Sequence, residues 1–510
     1  MKENKQIRIN LITNIANLVA SILIGLFYTP YLVRTLGIVA YGIVPLALII
    51  NQYINVIAGS LTGSLTRFYS IALQKGDKEE ASSYLSTSFA VISTVVIVLV
   101  PFIYLLIYNI DDVFNIPEEL VSNAKQLFIF TIISFVFSLY ASILNITLYA
   151  LNRLDLMNIV KILRIALKFF LTILFFEMIE KDVAYIGYAN CLTELFVLGL
   201  SLLLFVKVNQ KGIVIRLGLF SKARLVSMLG MTVWVLIHQI GDTGLYGTDN
   251  ILVNIFWSTK ESGILGALSE FGGYVILIVS VISSLFGPLI LIAYSKDEPD
   301  KVQQLTLNNS LIVGVLTALL TGILIGFAKP IIGFWLGTAF VTYSSWFIIK
   351  LITIPAYAAA GIFAFTYRAW NKVRLPALIT VLIGITNFGI SYFLYTFYRH
   401  NENIITLVLS ISALLIIIQS YGLNALWFSY LYKGNGVKII QNFLKILIIL
   451  VITTLISFLL ENYYTTNTIL ILVLKAGTSG IICSFMTYFI ALNEDQKNSI
   501  LSFIKDRIKL

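Results

Sequence analysis

Three cations stand at i, i+3 and i+7 inside an otherwise apolar stretch: Lys161, Arg164 and Lys168. That spacing puts them on one face of a helix. The chemistry open to such a stripe is anion binding, with Arg offering two parallel hydrogen bonds to a phosphate or carboxylate and Lys a point charge. A second set has the opposite sign. His238, Asp242 and Asp249 follow at i, i+4 and i+11, again on one face, and Glu270 enters from the next apolar run. A carboxylate shielded from water in such company can exchange a proton or hold Na⁺. No nucleophile elbow, phosphate-cradling glycine loop or zinc spacing accompanies either set, so no catalytic residue, cofactor or metal is expected. Cys191 and Cys483 both fall in apolar runs and form no disulfide framework.

The elements that carry these residues follow from composition. The chain has 510 residues, 58% hydrophobic and only 12% charged, with a mean hydropathy of +0.92. That is too little polar surface for a soluble protein, and the apolar runs have the length of membrane-crossing helices rather than barrel strands. The expected fold class is therefore an all-α polytopic membrane protein. Fourteen runs are read, at 10–33, 42–63, 84–108, 124–150, 156–177, 183–206, 227–257, 263–294, 306–328, 341–367, 375–397, 404–429, 438–460 and 466–491. The basic N-terminus leads into a run too long for a signal peptide, so it is read as the first retained span.

Basic residues in short loops stay on the cytoplasmic side. Lys2, Lys5 and Arg8, the segment 67–78, the turn at Arg153, the segments 207–224, 296–301, 368–374 and 433–438, and the tail with Lys497, Lys505, Arg507 and Lys509 fall on one side of this alternation. Both termini are thus expected in the cytoplasm, and the net charge of +10 is an orientation signal needing no nucleic acid. Polar groups inside the first hairpin, Asn51, Gln52, Asn55 and Arg67, point to a polar interior.

The halves of the chain also resemble each other. A shift of about 219 residues lays Thr29 on Thr248 and Asn152-Arg153 on Asn371-Lys372, and "YSIALQKGDKEE" resembles "YSKDEPDKVQQ" once a small insertion is allowed. The reading is two pseudo-symmetric six-helix lobes, 1–206 and 227–432, joined by a cytoplasmic linker at 207–226, with two further helices and a tail in 433–510.

The stretch "TPYLVRTLGIVAYG", a polar second helix ending "GSLTRFYS", and "TDNILVNIF" in the seventh run resemble the Wzx-type oligosaccharide flippases of the multidrug/oligosaccharidyl-lipid/polysaccharide exporter superfamily. The resemblance implies transport of an undecaprenyl-pyrophosphate-linked sugar repeat unit across the bacterial cytoplasmic membrane for O-antigen, lipopolysaccharide or capsule assembly. The two-lobe plan points to alternating access, the acids of the seventh run make H⁺ or Na⁺ the candidate coupling ion, and polysaccharide polymerase machinery is a candidate partner. One departure stands out: the seventh run carries Gly241, Gly244 and Gly247 together with its two acids and His238.

Each candidate has a plainer alternative. In the stripe, Lys161 and Arg164 snorkel to cytoplasmic headgroups, whereas Lys168, two turns further in, favours a cavity. The acids of the seventh run neutralise Arg34, Arg67 or the stripe. Arg34 anchors the outer end of the first run or gates it; Arg67 touches a phosphate at the cytoplasmic mouth or merely marks orientation. Glu194, Lys350 and Lys475 are lone ionisable groups of unassigned pairing. Among functions, a cation-coupled drug or metabolite exporter would need acids in the cavity more than bases. A polymerase or ligase would need long external loops with catalytic groups, which this chain lacks.

Overall fold

Asp77 accepts a hydrogen bond from the backbone N–H of Glu80 at 2.8 Å and starts one helix; Ser221 does the same from Arg224 for another. Such caps satisfy amide groups that have no partner within the helix. The structure of the protein, a computed structural model, describes residues 2–208, 212–283, 286–398, 401, 403–432, 436–463, 466 and 468–490. The side chains of Asn51 and Asn55, and the tail with its four basic residues, lie outside the described residues.

The long helices are α1 (Lys2–Leu36), α2 (Ile43–Lys75), α3 (Lys78–Tyr108), α4 (Glu118–Ala150), α5 (Leu154–Met178), α6 (Ala184–Val208), α7 (Lys222–Phe256) and α8 (Thr259–Ser283). They continue with α9 (Pro299–Gly326), α10 (Ile354–Ala369), α11 (Arg374–Phe397), α12 (Ile404–Tyr432), α13 (Gly436–Tyr463) and α14 (Ile469–Ile490). Among the described residues, each of the fourteen expected runs falls largely on helical structure. Among the described residues, eleven helices are long and apolar enough to cross a membrane, and α7, bent by 51° between Lys222–Met228 and Val233–Phe256, makes a twelfth. The helices α2 and α5 are not among them; in α5 any 18-residue stretch contains Lys161, Arg164 and Lys168 together. Its charge sets it apart from an ordinary lipid-facing span.

The chain divides into two units, Met1–Ala267 with Gly384–Arg399, and Leu268–Ile383 with His400–Leu510. In the first, α4 packs along α6, α1 against α5, and α2 against α3, α4 and α7. Tyr69, fully buried, shares a 3.0 Å hydrogen bond with the hydroxyl of Thr147. The α1–α2 turn is set by Gly42, whose position leaves no room for a Cβ beside the backbone carbonyl of Thr259. Gly263, one turn further into α8, meets the Cα of Gly42 and the carbonyl oxygen of Ile38, each 2.8 Å from where its Cβ would stand.

The segment before α7 is tied to α3. Val214 and Arg216 donate backbone N–H groups to the hydroxyls of Ser82 and Ser86 at 3.2 and 3.0 Å, and Ser221 donates to Thr87 at 3.1 Å. Ser83 donates to the carbonyl of Leu219 at 2.9 Å. Arg224 completes the strap with a 2.8 Å ion pair to Glu80 and a place over the Tyr84 ring. These small hydroxyls, buried at the start of α3, give an extended segment the partners that a sheet would otherwise supply.

In the second unit α9 lies against α10 and α13. Gly314, Gly322 and Gly326 form its seam with Ile446, Thr453 and Ser457 of α13, small residues letting two backbones approach. Within α12 the segment Ile418–Leu423 is π-helical and turns Gln419 to donate to Thr380 at 2.9 Å. Lys475 of α14 reaches Glu461 of α13 at 3.4 Å, which pairs one of the lone cations of the sequence.

Two helix ends are built alike. Asn152 after α4 and Asn371 after α10 have φ of 57° and 56°. Around the first, the N–H groups of residues 151, 152 and 153 bond to carbonyls of 147, 149 and 148; around the second, 370, 371 and 372 bond to 366, 368 and 367. After α2, and after the short helix Phe286–Ser295 that follows α8, Gly76 and Asp297 likewise take φ of 77° and 55°.

Candidate functional site

The α4–α5 turn fixes where the cationic stripe begins. Asn10 of α1 donates to the carbonyl and side-chain oxygens of Asn152 at 3.2 and 3.0 Å and accepts the backbone N–H of Asp155 at 3.0 Å. Gln6 donates to Asp155 at 2.9 Å, Arg153 pairs with the same carboxylate at 3.0 Å, and Asn158 reaches Thr13 at 3.3 Å. Burial pushes the Asp155 carboxyl up, but the Arg153 bonds and charge and the Gln6 bond outweigh it, holding the group below the usual carboxylate range. Towards their other ends α1 and α5 meet again. Tyr28 shares a 3.1 Å hydrogen bond with Thr172, packs edge-on against Phe169, and presents its ring 5.4 Å from the Lys168 ammonium.

Between the helix ends a cavity of about 550 Å³ lies among α1, α2, α4, α5 and α6. That volume is in the range of small-molecule and headgroup sites. Arg164, Lys168 and Phe169 enter from α5; Ser21, Gly25 and Tyr28 from α1; Leu48 and Gln52 from α2. Thr131, Ser134 and Ser138 line it from α4, and Asn190, Thr193 and Glu194 from α6. Arg164 and Glu194 are paired at 2.9 Å, with side chains 34% and 14% exposed. The hydroxyls of Thr131 and Thr193 and one oxygen of Glu194 have no hydrogen-bond partner among the described residues. The cavity therefore holds two cations and one anion amid hydroxyls and amides, an arrangement able to bind an anionic, hydroxyl-rich group. Phe135 closes one wall; its far side borders an apolar groove of about 210 Å³ between α3 and α4, lined by Val96, Val100, Ile129 and Ile133 among others.

The structure brings only part of the expected site together. Lys161 is exposed and does not line the cavity. Arg34 and Arg67 are also exposed and outside it; Arg67 lies 5.8 Å from the ring of Phe68. His238 and Asp242 face each other within α7 at 3.5 Å. Asp249 is buried at 1% exposure on the helix that also meets Asn387, whose amide points to the Leu245 carbonyl at 3.5 Å. Among the described residues, none from α7 lines the cavity. Glu270 belongs to the second unit and accepts a 2.8 Å hydrogen bond from the Tyr274 hydroxyl. Among the described residues no group of three His, Cys, Asp or Glu is placed to hold a metal.

Two features escaped the sequence reading. One is Glu194 as the partner of Arg164. The other is the row Thr131, Ser134 and Ser138, whose i, i+3, i+7 spacing repeats that of the cations and was legible in the same way.

No family model matches the chain. It is 23% identical over 386 residues to the uncharacterized membrane protein EpsK of Bacillus subtilis (strain 168), covering 74% of this chain and 75% of that protein. Among solved structures it is similar to an inward-facing multidrug resistance MATE family transporter of the MOP superfamily, with a TM-score of 0.64, 14% identity and coverage of 83% and 98%. The lipid II flippase MurJ, in an inward closed conformation, matches with a TM-score of 0.61 and 15% identity over 93% of this chain and 99% of that one. The MATE multidrug transporter DinF-BH matches with a TM-score of 0.64 and 15% identity over 83% and 95%. This chain is thus an all-helical, multi-pass membrane protein with the fold shared by MATE transporters and the lipid II flippase MurJ.

Proposed function

We propose that the protein is a flippase that carries undecaprenyl-pyrophosphate-linked oligosaccharide repeat units across the bacterial cytoplasmic membrane for O-antigen, lipopolysaccharide or capsule assembly. The observation that carries this reading is the placing of Arg164 and Lys168 together in a 550 Å³ cavity lined by hydroxyls and amides. In a membrane interior, cations are retained where they face a polar cavity and a partner. A pyrophosphate fits the two charges, and the row from α4 suits sugar hydroxyls. The polyprenyl tail stays in lipid. In this reading both termini are cytoplasmic, lobes 1–206 and 227–432 alternate access, an H⁺ or Na⁺ gradient drives the cycle, and polymerase machinery receives the product. The resemblance of "TPYLVRTLGIVAYG" and "GSLTRFYS" to oligosaccharide flippases supports it, as does the shared fold with a lipid flippase.

Flipping of a polyprenyl-pyrophosphate oligosaccharide in proteoliposomes tests the reading. Neutralising Arg164 and Lys168 to Gln should abolish it; undiminished flipping by a stably folded double variant would discard the cavity as the binding element. The second reading is a cation-coupled exporter of drugs or metabolites. The observation in its favour is Glu194, an acid inside the cavity, and transport of an organic cation in the same vesicles would support it.

A further inference from the structure

Arg164 has two prospective anionic partners, the Glu194 carboxylate already 2.9 Å away and any phosphate that enters the same cavity. We propose that Glu194 is an exchangeable counter-ion: it holds Arg164 until an anionic headgroup arrives, then releases it and takes up one proton. The inference rests on the flippase reading and names how that site balances charge.

The argument is electrostatic. The groups facing Glu194 are Arg164 and Lys168 from α5, with Tyr28 from α1; α2 and α4 bring only Gln52 and the hydroxyls of Thr131, Ser134 and Ser138 to the cavity. A sugar-linked pyrophosphate diester carries two negative charges. With Glu194 ionised, the loaded cavity would hold three anionic charges against two cations. With Glu194 protonated, it is neutral. Uncompensated charge away from water is far costlier than a neutral assembly, so headgroup binding and protonation of Glu194 favour each other. The geometry suits the exchange: one Glu194 oxygen has no hydrogen-bond partner among the described residues, and the unpartnered Thr193 and Thr131 hydroxyls lining the same cavity are donors open to either anion. The proton comes from solvent on the loading side and returns to solvent when the headgroup leaves and Arg164 pairs with Glu194 again, so this exchange balances charge in the site and is not itself the step that an inward H⁺ gradient drives.

The test is calorimetric binding of a short-chain polyprenyl-pyrophosphoryl-N-acetylglucosamine to the full chain in nanodiscs, in buffers of different ionisation enthalpy and across pH 5 to 8. The probe's two phosphates have no proton to gain in this range, so proton uptake reports the protein. The expected result is uptake of about one proton per bound probe, with affinity rising as pH falls by up to about tenfold per unit, the limit for one linked proton. The Glu194→Gln variant should bind at least as tightly as the wild type does at its acid limit, with no pH dependence and no proton uptake. Wild-type binding without proton uptake overturns the proposal, as does a Glu194→Gln variant that keeps the wild-type pH slope; both leave the flippase reading standing. A wild type that does not bind the probe overturns that reading and the exchange with it.

Discussion

Asn152 and Asn371, 219 positions apart, close their helices in the left-handed conformation with the same set of backbone hydrogen bonds. That conformation costs most residues about 1 kcal/mol, and Asn tolerates it better than others. The two sites differ in surroundings: the side-chain oxygen of Asn152 accepts a bond from Asn10 at 3.0 Å. Asn371→Gly should accordingly be neutral or stabilising by up to about 1 kcal/mol, through relief of backbone strain. Asn152→Gly gains the same relief but loses a bond worth about 1 kcal/mol, so it should end less stable than Asn371→Gly. Thermal unfolding of the two purified variants ranks them.

Gly42 offers a sharper backbone test. Its missing Cβ is replaced by the carbonyl of Thr259, a main-chain atom that cannot swing away, and Gly263 closes on the same spot. Gly42→Ala should cost at least about 1–3 kcal/mol, the range for overpacking a filled interior. Gly37, one turn earlier, has φ of 79° with open space around a would-be Cβ, so Gly37→Ala should cost only the backbone strain of about 1 kcal/mol. Fluorescence-detected melting in detergent separates the two.

The strap from Val214 to Ser221 depends on three side-chain hydroxyls that accept backbone N–H groups. In the triple variant Ser82→Ala, Ser86→Ala, Thr87→Val those amides lose their acceptors, each bond being worth about 0.5–1.5 kcal/mol. The segment should then open more often and be cut faster by trypsin after Arg216. Cleavage at Arg216 as slow as in the wild type would show that the Ser83–Leu219 bond and the Arg224–Glu80 pair hold the strap without those three acceptors.

Helix periodicity is what made the fold readable, and it also set the limit of what could be read. Residue spacing gives a side chain's direction around its own helix, and Arg164 and Lys168, on one face, both line the cavity. It does not give depth: Lys161 shares their face but sits about 10 Å from Lys168 along the axis, beyond the cavity. Nor does it say which helices adjoin. Spacing along one helix assigned Glu270 no partner, and its carboxylate accepts a hydrogen bond from Tyr274, one turn further along α8. Glu194 looked solitary because its partner is thirty positions away on a different helix.

The Asp155 carboxyl supplies a pH-dependent outcome. Because its folded value lies below the ordinary range, its contribution to stability is complete above the unfolded value of about 3.9 and is lost as pH falls through the folded value. The α1–α5 contact should therefore loosen only on acidification below about pH 4. Asp155→Asn should remove that part of the acid dependence and weaken the contact at neutral pH, where Arg153 loses its counter-charge. Melting temperatures of both proteins from pH 3 to 7 give the comparison.

A double-mutant cycle on Arg164 and Glu194 separates the structural worth of their ion pair from its role in binding. Removing one member of a fully buried pair costs about 3–5 kcal/mol, because the other is left without a counter-charge. This pair is only partly buried, so the cost of Arg164→Gln should be nearer about 1–2 kcal/mol, the part exposed to water being screened. For Glu194→Gln it should be similar, with two cations left adjacent. The double variant should recover most of the loss, since neither charge remains to be satisfied and a neutral amide pair of similar shape replaces them. Its stability would then approach the wild type while its binding of a pyrophosphate-linked probe stays lost, because Arg164 is gone. If the two single losses simply add, the pair contributes nothing to the fold, and the 2.9 Å contact matters only for what enters the cavity.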